Sequence, residues 1–125
     1  MKYNVKATDF PLTPAISEYL NKKVNHLDKF INSTLEETVM CYIEVGKTTG
    51  HHKTGDLFKA EFTLHLGGKV FRASEEKEDL YSAIDVVTEE MAEELRSFKN
   101  KKKGLVRRGA SKIKSIVKSI YGANK

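Results

Sequence analysis

The stretch Leu57–Ser74, LFKAEFTLHLGGKVFRAS, decides the fold because it holds two alternating segments joined by a Gly-Gly pair. In its first half, apolar side chains recur at every second position: Phe58, Ala60, Phe62, Leu64 and Leu66. This period of two is typical of a strand with one buried and one solvated face. Two adjacent glycines allow the positive φ angles of a tight hairpin turn. We therefore predict a β-hairpin with strands over residues 57–66 and 69–74.

Two segments upstream alternate in the same way and predict two further strands, over residues 3–7 and 38–45. In the second of them, Val39, Cys41, Ile43 and Val45 fall on one face. The opposite face of the sheet would carry Met40, Tyr42, Glu44, Lys59, Glu61, Thr63, His65 and Arg72. Residues 46–55, GKTTGHHKTG, are predicted to form a polar loop.

Helical periodicity appears in two other segments. Thr13-Pro14 is typical of an N-cap followed by Pro at the first helical position. The apolar stripe after it is Ile16, Leu20, Val24, Leu27 and Ile31. A second helix is predicted from about Asp79 to Lys99, with the stripe Leu80, Ile84, Val87, Met91, Leu95 and Phe98. The order β-α-β-β-β-α predicts a two-layer α+β domain with a four-stranded sheet and two helices on one face.

The last part of the chain departs from this pattern. The run KKKG at residues 101–104 is predicted to end the second helix, through charge and then through glycine. Residues 111–121 then place Ile113, Ile116, Val117 and Ile120 on one face among lysines, which predicts a short basic amphipathic helix that becomes ordered on a partner. We therefore predict a domain over residues 1–99 and a basic C-terminal tail over residues 100–125.

Charge is divided unevenly along the chain. Residues 1–94 hold 11 Lys/Arg and all 17 Asp/Glu, a formal charge of −6, whereas residues 95–125 hold the other 11 Lys/Arg and no acid, a formal charge of +11. An acid-free cationic segment of this length is typical of a tail that binds a polyanion, here RNA. Because the sequence shows no aromatic spacing for base stacking, it favours contacts with the phosphate backbone and shape over base reading.

Residues suited to catalysis or metal binding are few. Cys41 falls on a core-facing strand position, where burial makes a thiol a poor nucleophile, and a lone cysteine fits a reducing compartment. His51 and His52 lack the spacing of metal ligands, and the GKT at residues 46–48 lacks the upstream glycine of a phosphate-binding loop. We expect a protein that is not an enzyme and has no cofactor, no metal and no small-molecule substrate.

The chain has no apolar run of the roughly 18 to 20 residues that span a bilayer. Its first ten residues, MKYNVKATDF, lack the apolar core of a secretory signal. Both observations predict a cytoplasmic location.

Residues 78–85, EDLYSAID, resemble the "ED-x-Y-x-A-I-D" signature of the ribosome hibernation-promoting factor and ribosome-associated inhibitor family, which is also labelled a sigma-54 modulation family. Other similar stretches are FPLTPAI at residues 10–16, KK at 22–23, LDKF at 27–30, His52, and GG at 67–68. The resemblance covers residues 3–103 in consistent order. The β-α-β-β-β-α fold of the family agrees with the order of elements predicted above.

The resemblance implies a stress-response protein that binds the small ribosomal subunit and its rRNA where mRNA and tRNA would lie. Such a protein inhibits translation by steric occlusion and needs no catalysis. The resemblance implies RNA contacts on the first helix and at the basic end of the second, and the charge pattern adds the tail. The expected RNA-binding residues are Lys22, Lys23, Lys29, His52, Lys99, Lys101, Lys102, Lys103, Arg107, Arg108, Lys112, Lys114 and Lys118.

Two features depart from the family. Its members usually carry Lys or Arg along the exposed side of the second helix, where this chain has Glu89, Glu90, Glu93 and Glu94. Long members also have a C-terminal domain that pairs two ribosomes, and we expect no such domain here. The alternative function is a regulator that binds a protein or a membrane surface through the basic amphipathic tail, although we do not expect a membrane partner.

Overall fold

A computed structural model of the chain describes residues 1–31, 39–48 and 57–101 with their side chains and residues 102–120 as helical backbone. The elements are β1 (Lys2–Thr8), α1 (Pro14–Asp28), β2 (Val39–Thr48), β3 (Leu57–Leu66), β4 (Lys69–Lys77) and α2 (Leu80–Ile120). This order confirms the predicted α+β fold. The chain divides into two compact units, Met1–Glu94 and Leu95–Lys125. The functional division at residue 99 stays a prediction.

The four strands form one sheet in the order β1-β2-β3-β4. β1 pairs with β2 in parallel, whereas β2–β3 and β3–β4 are antiparallel. Antiparallel neighbours can be joined by a short turn, but a parallel pair needs a crossover that carries the chain back over the sheet. α1 is that crossover, because it lies between β1 and β2 in the chain.

The hairpin between β3 and β4 turns at Gly67 and Gly68, whose φ angles are 47° and 73°. Both angles are positive, which is the signature of a type I′ turn, and this turn matches the right-handed twist of the flanking strands. It pairs Leu66 with Lys69 and so fixes the β3–β4 register. The predicted hairpin is confirmed.

The core of the first unit lies between one face of the sheet and the two helices. Phe62, in the middle of β3, has no exposed surface, and neither has Leu20 of α1 or Ile84 of α2. Other buried members are Val24, Leu27, Cys41, Ile43, Val45, Ala60, Leu64, Phe71, Ala73, Ala83, Val87 and Met91. The buried polar Thr88 donates a hydrogen bond to the carbonyl oxygen of Ile84 at 2.7 Å, which satisfies its hydroxyl. The alternating and helical patterns therefore predicted the core-facing sides correctly.

β2 and β4 extend further than predicted. Gly46, for which the sequence predicts a loop position, pairs with Thr8 on one side and Lys59 on the other. A Cβ atom at Gly46 would lie 3.2 Å from the carbonyl oxygen of Thr8, so glycine permits a close approach of β1. The histidines of the predicted loop, at residues 51 and 52, lie outside the described residues.

α2 begins at Leu80, close to the predicted start, and Asp79 caps it. The carboxylate of Asp79 accepts hydrogen bonds from the amide of Ser82 at 3.1 Å and from its hydroxyl at 3.0 Å. The predicted end at residues 101–104 is wrong, because α2 continues to Ile120 and absorbs the separate tail helix. Gly104 weakens a helix without breaking it, and no proline follows Pro14 to remove a backbone donor. Tyr121, the predicted last residue of the tail helix, lies outside the described residues.

A three-residue contact, which we call the helix clamp, joins α1 to α2. The hydroxyl of Tyr19 donates a hydrogen bond to the carboxylate of Asp85. The ammonium of Lys23 lies 3.0 Å from the same carboxylate oxygen and 4.9 Å from the centre of the Tyr19 ring. The Tyr19 ring also packs edge-to-face on Tyr81, with centroids 4.8 Å apart. The clamp thus fixes both helices through one carboxylate.

The clamp shifts the pKa values of its members. Burial disfavours the charged carboxylate, but hydrogen bonds from Tyr19 and Lys23 outweigh it and lower the pKa of Asp85. The hydrogen bond to Asp85 raises the pKa of Tyr19. Burial alone would lower the pKa of Lys23, but the hydrogen bond and charge of Asp85 raise it. The Lys23–Asp85 ion pair is therefore formed at neutral pH.

We expect Gly68→Ala to destabilise the protein by about 1 kcal/mol, because an L-residue with a side chain is strained at positive φ. A Cβ at Gly68 would meet no atom within 4 Å, so the cost comes from the backbone alone. Gly68→Asn is the matched control and should cost less, since Asn tolerates this region. Urea denaturation of the three proteins measures the difference, and equal losses for Ala and Asn would contradict the strain argument.

We expect Asp85→Ala to lower the free energy of unfolding by about 1–2 kcal/mol at pH 7. This is the contribution of a charge-assisted hydrogen bond, reduced because solvent partly screens the charges. The pKa of Asp85 is lower in the folded than in the unfolded state. The stabilisation is therefore present above the unfolded pKa and is lost as the pH falls through the folded pKa. The pKa of Lys23 is raised, so its share is lost as the pH rises through its folded pKa.

Urea denaturation of the wild type and Asp85→Ala, at neutral and at acidic pH, checks this expectation. Asp85→Asn is the control that keeps a hydrogen-bond acceptor for Tyr19 but removes the charge. A difference between wild type and Asp85→Ala that stays constant into acid would show that the ionised carboxylate does not stabilise the fold.

Candidate nucleic-acid interface

The exposed side of α1 carries a stripe of basic residues, formed by Lys22 and His26 in the helix and Lys29 at its C-cap. Their spacings of four and three residues place them on one side of a helix whose other side is buried through Leu20 and Leu27. The stripe lies in the C-terminal half of the helix, where the partial negative charge of the free carbonyl groups favours cations. All three residues are exposed, so the α1 stripe can meet a phosphate backbone.

Lys23 stands apart from the α1 stripe because it belongs to the helix clamp. Its side chain is 27% exposed, and its ammonium is paired with Asp85 at 3.0 Å. Lys22 and Lys29 are exposed and form no ion pair with the described residues. The structure therefore distinguishes Lys22 and Lys29, which have no ion-pair partner in the described part of the chain, from Lys23, which has a carboxylate partner.

An acidic surface lies on α2 of the first unit. Glu89, Glu90, Glu93 and Glu94 are all exposed. Burial, a hydrogen bond to Glu75 and the charge of Glu94 together raise the pKa of Glu90, which indicates carboxylates held close together. Because like charges repel, this surface is a poor place for a phosphate. The candidate interface of the first unit is accordingly the α1 stripe.

The remaining expected RNA-binding residues belong to the second unit or lie outside the described residues. Lys99 is half-buried and Lys101 is exposed on α2. His52 lies outside the described residues. Further along α2 the backbone alone is described, and it carries Lys102, Lys103, Arg107, Arg108, Lys112, Lys114 and Lys118. Their RNA-binding roles stay predictions.

The face of the sheet that carries no helix contains a feature that inspection of the sequence missed. Tyr42 of β2 and His65 of β3 are both exposed, and their ring centroids lie 5.4 Å apart. The alternating pattern of the sequence predicts both residues on this face. The contact between the two rings depends on the β2–β3 register, which pairs Tyr42 with Thr63 and which the sequence alone does not reveal.

The potential nucleophile Cys41 is fully buried, and burial raises the pKa of its thiol to about 12. A thiol of this kind stays protonated at neutral pH. Within the described residues, no three His, Cys, Asp or Glu side chains come together as metal ligands. No helix in the described part of the chain combines the length and apolarity needed to cross a bilayer.

Two solved structures have a similar fold. The N-terminal domain of Protein Y from Thermus thermophilus aligns with a TM-score of 0.63 at 24% identity, covering 78% of this chain and 99% of that domain. A ribosomal subunit interface protein from Coxiella burnetii aligns with a TM-score of 0.60 at 19% identity, covering 80% of this chain and 99% of that protein. At these identities the likeness concerns the fold.

Two curated relatives are named ribosome hibernation promotion factor. The protein of Lactococcus lactis is 30% identical over 101 residues, which make up 81% of this chain and 51% of the relative. The protein of Picosynechococcus is 31% identical over 104 residues, 83% of this chain and 52% of the relative. The chain thus spans about half the length of the curated relatives it matches.

The family model described as Sigma 54 modulation protein / S30EA ribosomal protein matches residues 3–103. The match spans all four strands, α1 and the first part of α2. The chain therefore belongs to the Sigma 54 modulation protein / S30EA ribosomal protein family.

Proposed function

We propose that this protein is a ribosome hibernation factor that binds the small ribosomal subunit in the mRNA/tRNA channel and inhibits translation by steric occlusion. Family membership over residues 3–103 and two relatives named ribosome hibernation promotion factor support this function. The observation that carries the proposal is the α1 stripe, an exposed positive surface on a domain whose formal charge is negative. The protein acts in the cytoplasm, where ribosomes work, and catalyses no reaction.

The α1 stripe binds phosphates by releasing counterions from the RNA. Each cation that neutralises a phosphate adds a salt-dependent increment to the affinity. Lys22 and Lys29 contribute most, because neither gives up an ion pair with a described residue on binding. Lys23 contributes less, since it must either leave Asp85 or share its hydrogens between Asp85 and RNA. Four buried side chains fix the stripe on the sheet: Ile16, Leu20, Val24 and Leu27.

The dense packing of the first unit explains how the bound protein would exclude mRNA and tRNA. The first unit is a two-layer domain whose central side chains, such as Phe62 and Met91, have no exposed surface. Protein interiors of this kind are as dense as organic crystals and yield little to a competing chain. A domain held in the channel by its positive surface therefore excludes mRNA and tRNA through its volume, without chemistry.

The basic residues of the second unit anchor the bound protein. They extend over residues 95–125, which contain 11 Lys/Arg and no acid. The proposed contacts are Lys99, Lys101, Lys102, Lys103, Arg107, Arg108, Lys112, Lys114 and Lys118, and His52 adds one from the loop before β3. They compensate for the positive charge that the acidic surface of α2 lacks.

We expect Lys22→Glu/Lys29→Glu to weaken binding to small ribosomal subunits, measured by co-sedimentation, at least about tenfold. The slope of log affinity against log salt concentration should become shallower by the contribution of about two phosphate contacts. Inhibition of translation in a cell-free system should fall in parallel. The reason is that both lysines are exposed and unpaired within the described part of the chain.

Lys47→Glu/Lys77→Glu is the matched control, because it makes the same change in net charge at the C-terminal ends of β2 and β4, outside the α1 stripe. It should retain ribosome binding. Equal loss in both variants would show that total charge, rather than the α1 stripe, governs binding. Unchanged binding in Lys22→Glu/Lys29→Glu would remove the stripe from the interface.

A second variant tests the anchor in the full-length chain. This variant replaces five cations by Gln: Arg107, Arg108, Lys112, Lys114 and Lys118. We expect the slope of log affinity for ribosomes against log salt concentration to become shallower by about 3–4, because each phosphate contact contributes roughly 0.7 to the slope. Sedimentation at a series of salt concentrations measures this slope. Salt-insensitive binding to a protein, or flotation with anionic vesicles, would instead favour the alternative in which the tail docks on another surface.

A further inference from the structure

The strand register sorts the side chains on the sheet face that carries no helix. One row across the four strands contains Lys2, Met40, His65 and Val70, and the next contains Asn4, Tyr42, Thr63 and Arg72. We call the six residues Lys2, Met40, Tyr42, His65, Val70 and Arg72 the aromatic patch. It lies opposite the helices and is therefore a different surface from the α1 stripe.

The aromatic patch exposes apolar and aromatic area. Tyr42 is 47% exposed and Val70 is 51% exposed, the two highest values among the exposed large hydrophobic side chains that the structure describes. The rings of Tyr42 and His65 meet at 85° with centroids 5.4 Å apart. They lie diagonally across β2 and β3, at a distance where cross-strand side chains support each other. The sheet thus holds two exposed rings in place at little further entropic cost.

Charge on this face is segregated. The two rows of the aromatic patch contain the cations Lys2 and Arg72 and no carboxylate. The following two rows contain three carboxylates and two lysines: Glu44, Glu61, Glu76, Lys6 and Lys59. Neither Lys2 nor Arg72 forms an ion pair with the described residues. The aromatic rings therefore lie in the purely positive half of the face.

We propose that the aromatic patch binds single-stranded RNA, with a base stacked on Tyr42 and His65 and the flanking phosphates held by Arg72 and Lys2. Unpaired bases stack on aromatic side chains regardless of their identity, and this mode needs adjacent cations for the backbone. A duplex offers no such base face. The combination of rings with cations and without carboxylates matches a nucleotide better than an apolar protein segment, which would gain nothing from unpaired positive charge.

A depression of about 430 Å³ beside Tyr42 orients the nucleotide. Its lining includes Asn4, Thr63, Glu44 and Glu61. Amide and hydroxyl groups bind base edges, and carboxylates accept hydrogen bonds from base amino groups but repel phosphates. The base edge therefore faces the depression, and the backbone is directed towards Arg72 and Lys2.

This inference rests on the proposed function for the choice of RNA as the ligand, and it adds base stacking to the backbone contacts of the α1 stripe. The test uses the full chain and short RNA oligonucleotides without ribosomes. The result for the aromatic patch is therefore independent of whether the protein binds ribosomes.

The probe is a single-stranded oligoribonucleotide with one 2-aminopurine, compared with an oligonucleotide of equal length that is abasic at the same and neighbouring positions. Both carry the same phosphates, so the cations of residues 95–125 bind them equally. We expect quenching of 2-aminopurine fluorescence and binding of the base-containing RNA about tenfold tighter than the abasic one. The preference should persist at high salt, since stacking is less screened than phosphate contacts.

The decisive variant is Tyr42→Leu/His65→Leu, which keeps the patch apolar and removes both rings. It should lose the quenching and the preference for bases, whereas Tyr42→Phe should retain both. Tyr81→Leu, which removes a tyrosine 37% exposed on α2, is the control and should behave as the wild type. Circular dichroism and urea denaturation establish that each variant folds, and Tyr42→Leu alone replaces the double variant if that one does not.

Equal binding of abasic and base-containing RNA by the wild type would overturn the proposal. So would an unchanged preference in Tyr42→Leu/His65→Leu. If that variant instead loses ribosome binding while its preference for bases is intact, the patch contacts a ribosomal protein and not RNA. A base preference in a protein that fails to sediment with ribosomes would support the aromatic patch and refute the proposed function.

Discussion

The parallel pairing of β1 with β2 is the constraint on which the rest of the structure depends. Two adjacent parallel strands require a crossover, and the crossover must cover the sheet that it returns to. α1 consequently lies on one face with Leu20 and Leu27 buried, and its exposed side presents Lys22 and Lys29. The opposite face keeps its side chains in solvent. One topological choice therefore creates both the α1 stripe and the surface of the aromatic patch.

Local patterns predicted the fold well, because its elements follow simple periodicities. The alternation around Phe62, the glycine pair at residues 67–68 and the Thr13-Pro14 cap each predicted an element that the structure confirms. The errors lie where tertiary contacts override local signals. The sequence predicts a loop at Gly46 because glycine usually interrupts strands. In the structure Gly46 lies within β2, where the missing Cβ lets Thr8 of β1 pack closely against it. Gly104 was predicted to end α2, but no competing cap or proline follows it.

The candidate site was less predictable than the fold. Helical spacing identified Lys22 and Lys29 as neighbours, since positions seven apart fall on one side of a helix. Nothing local indicated that Lys23 pairs with Asp85, because the two residues are far apart in the chain and meet only once both helices pack. The same holds for Tyr42 and His65, whose contact depends on a strand register. Pairings between distant segments are what a single sequence conceals.

The buried position of Cys41 has a consequence for how the folded chain meets oxidants. Peroxides and disulfides react with the thiolate form of cysteine, and access and pKa control that reaction. The only cysteine of this chain has no exposed surface, and its pKa is raised to about 12. Oxidants therefore find neither a thiolate nor a route to the sulfur. The folded first unit therefore offers oxidants no reactive thiol, and Cys41 serves as a packing residue of the core.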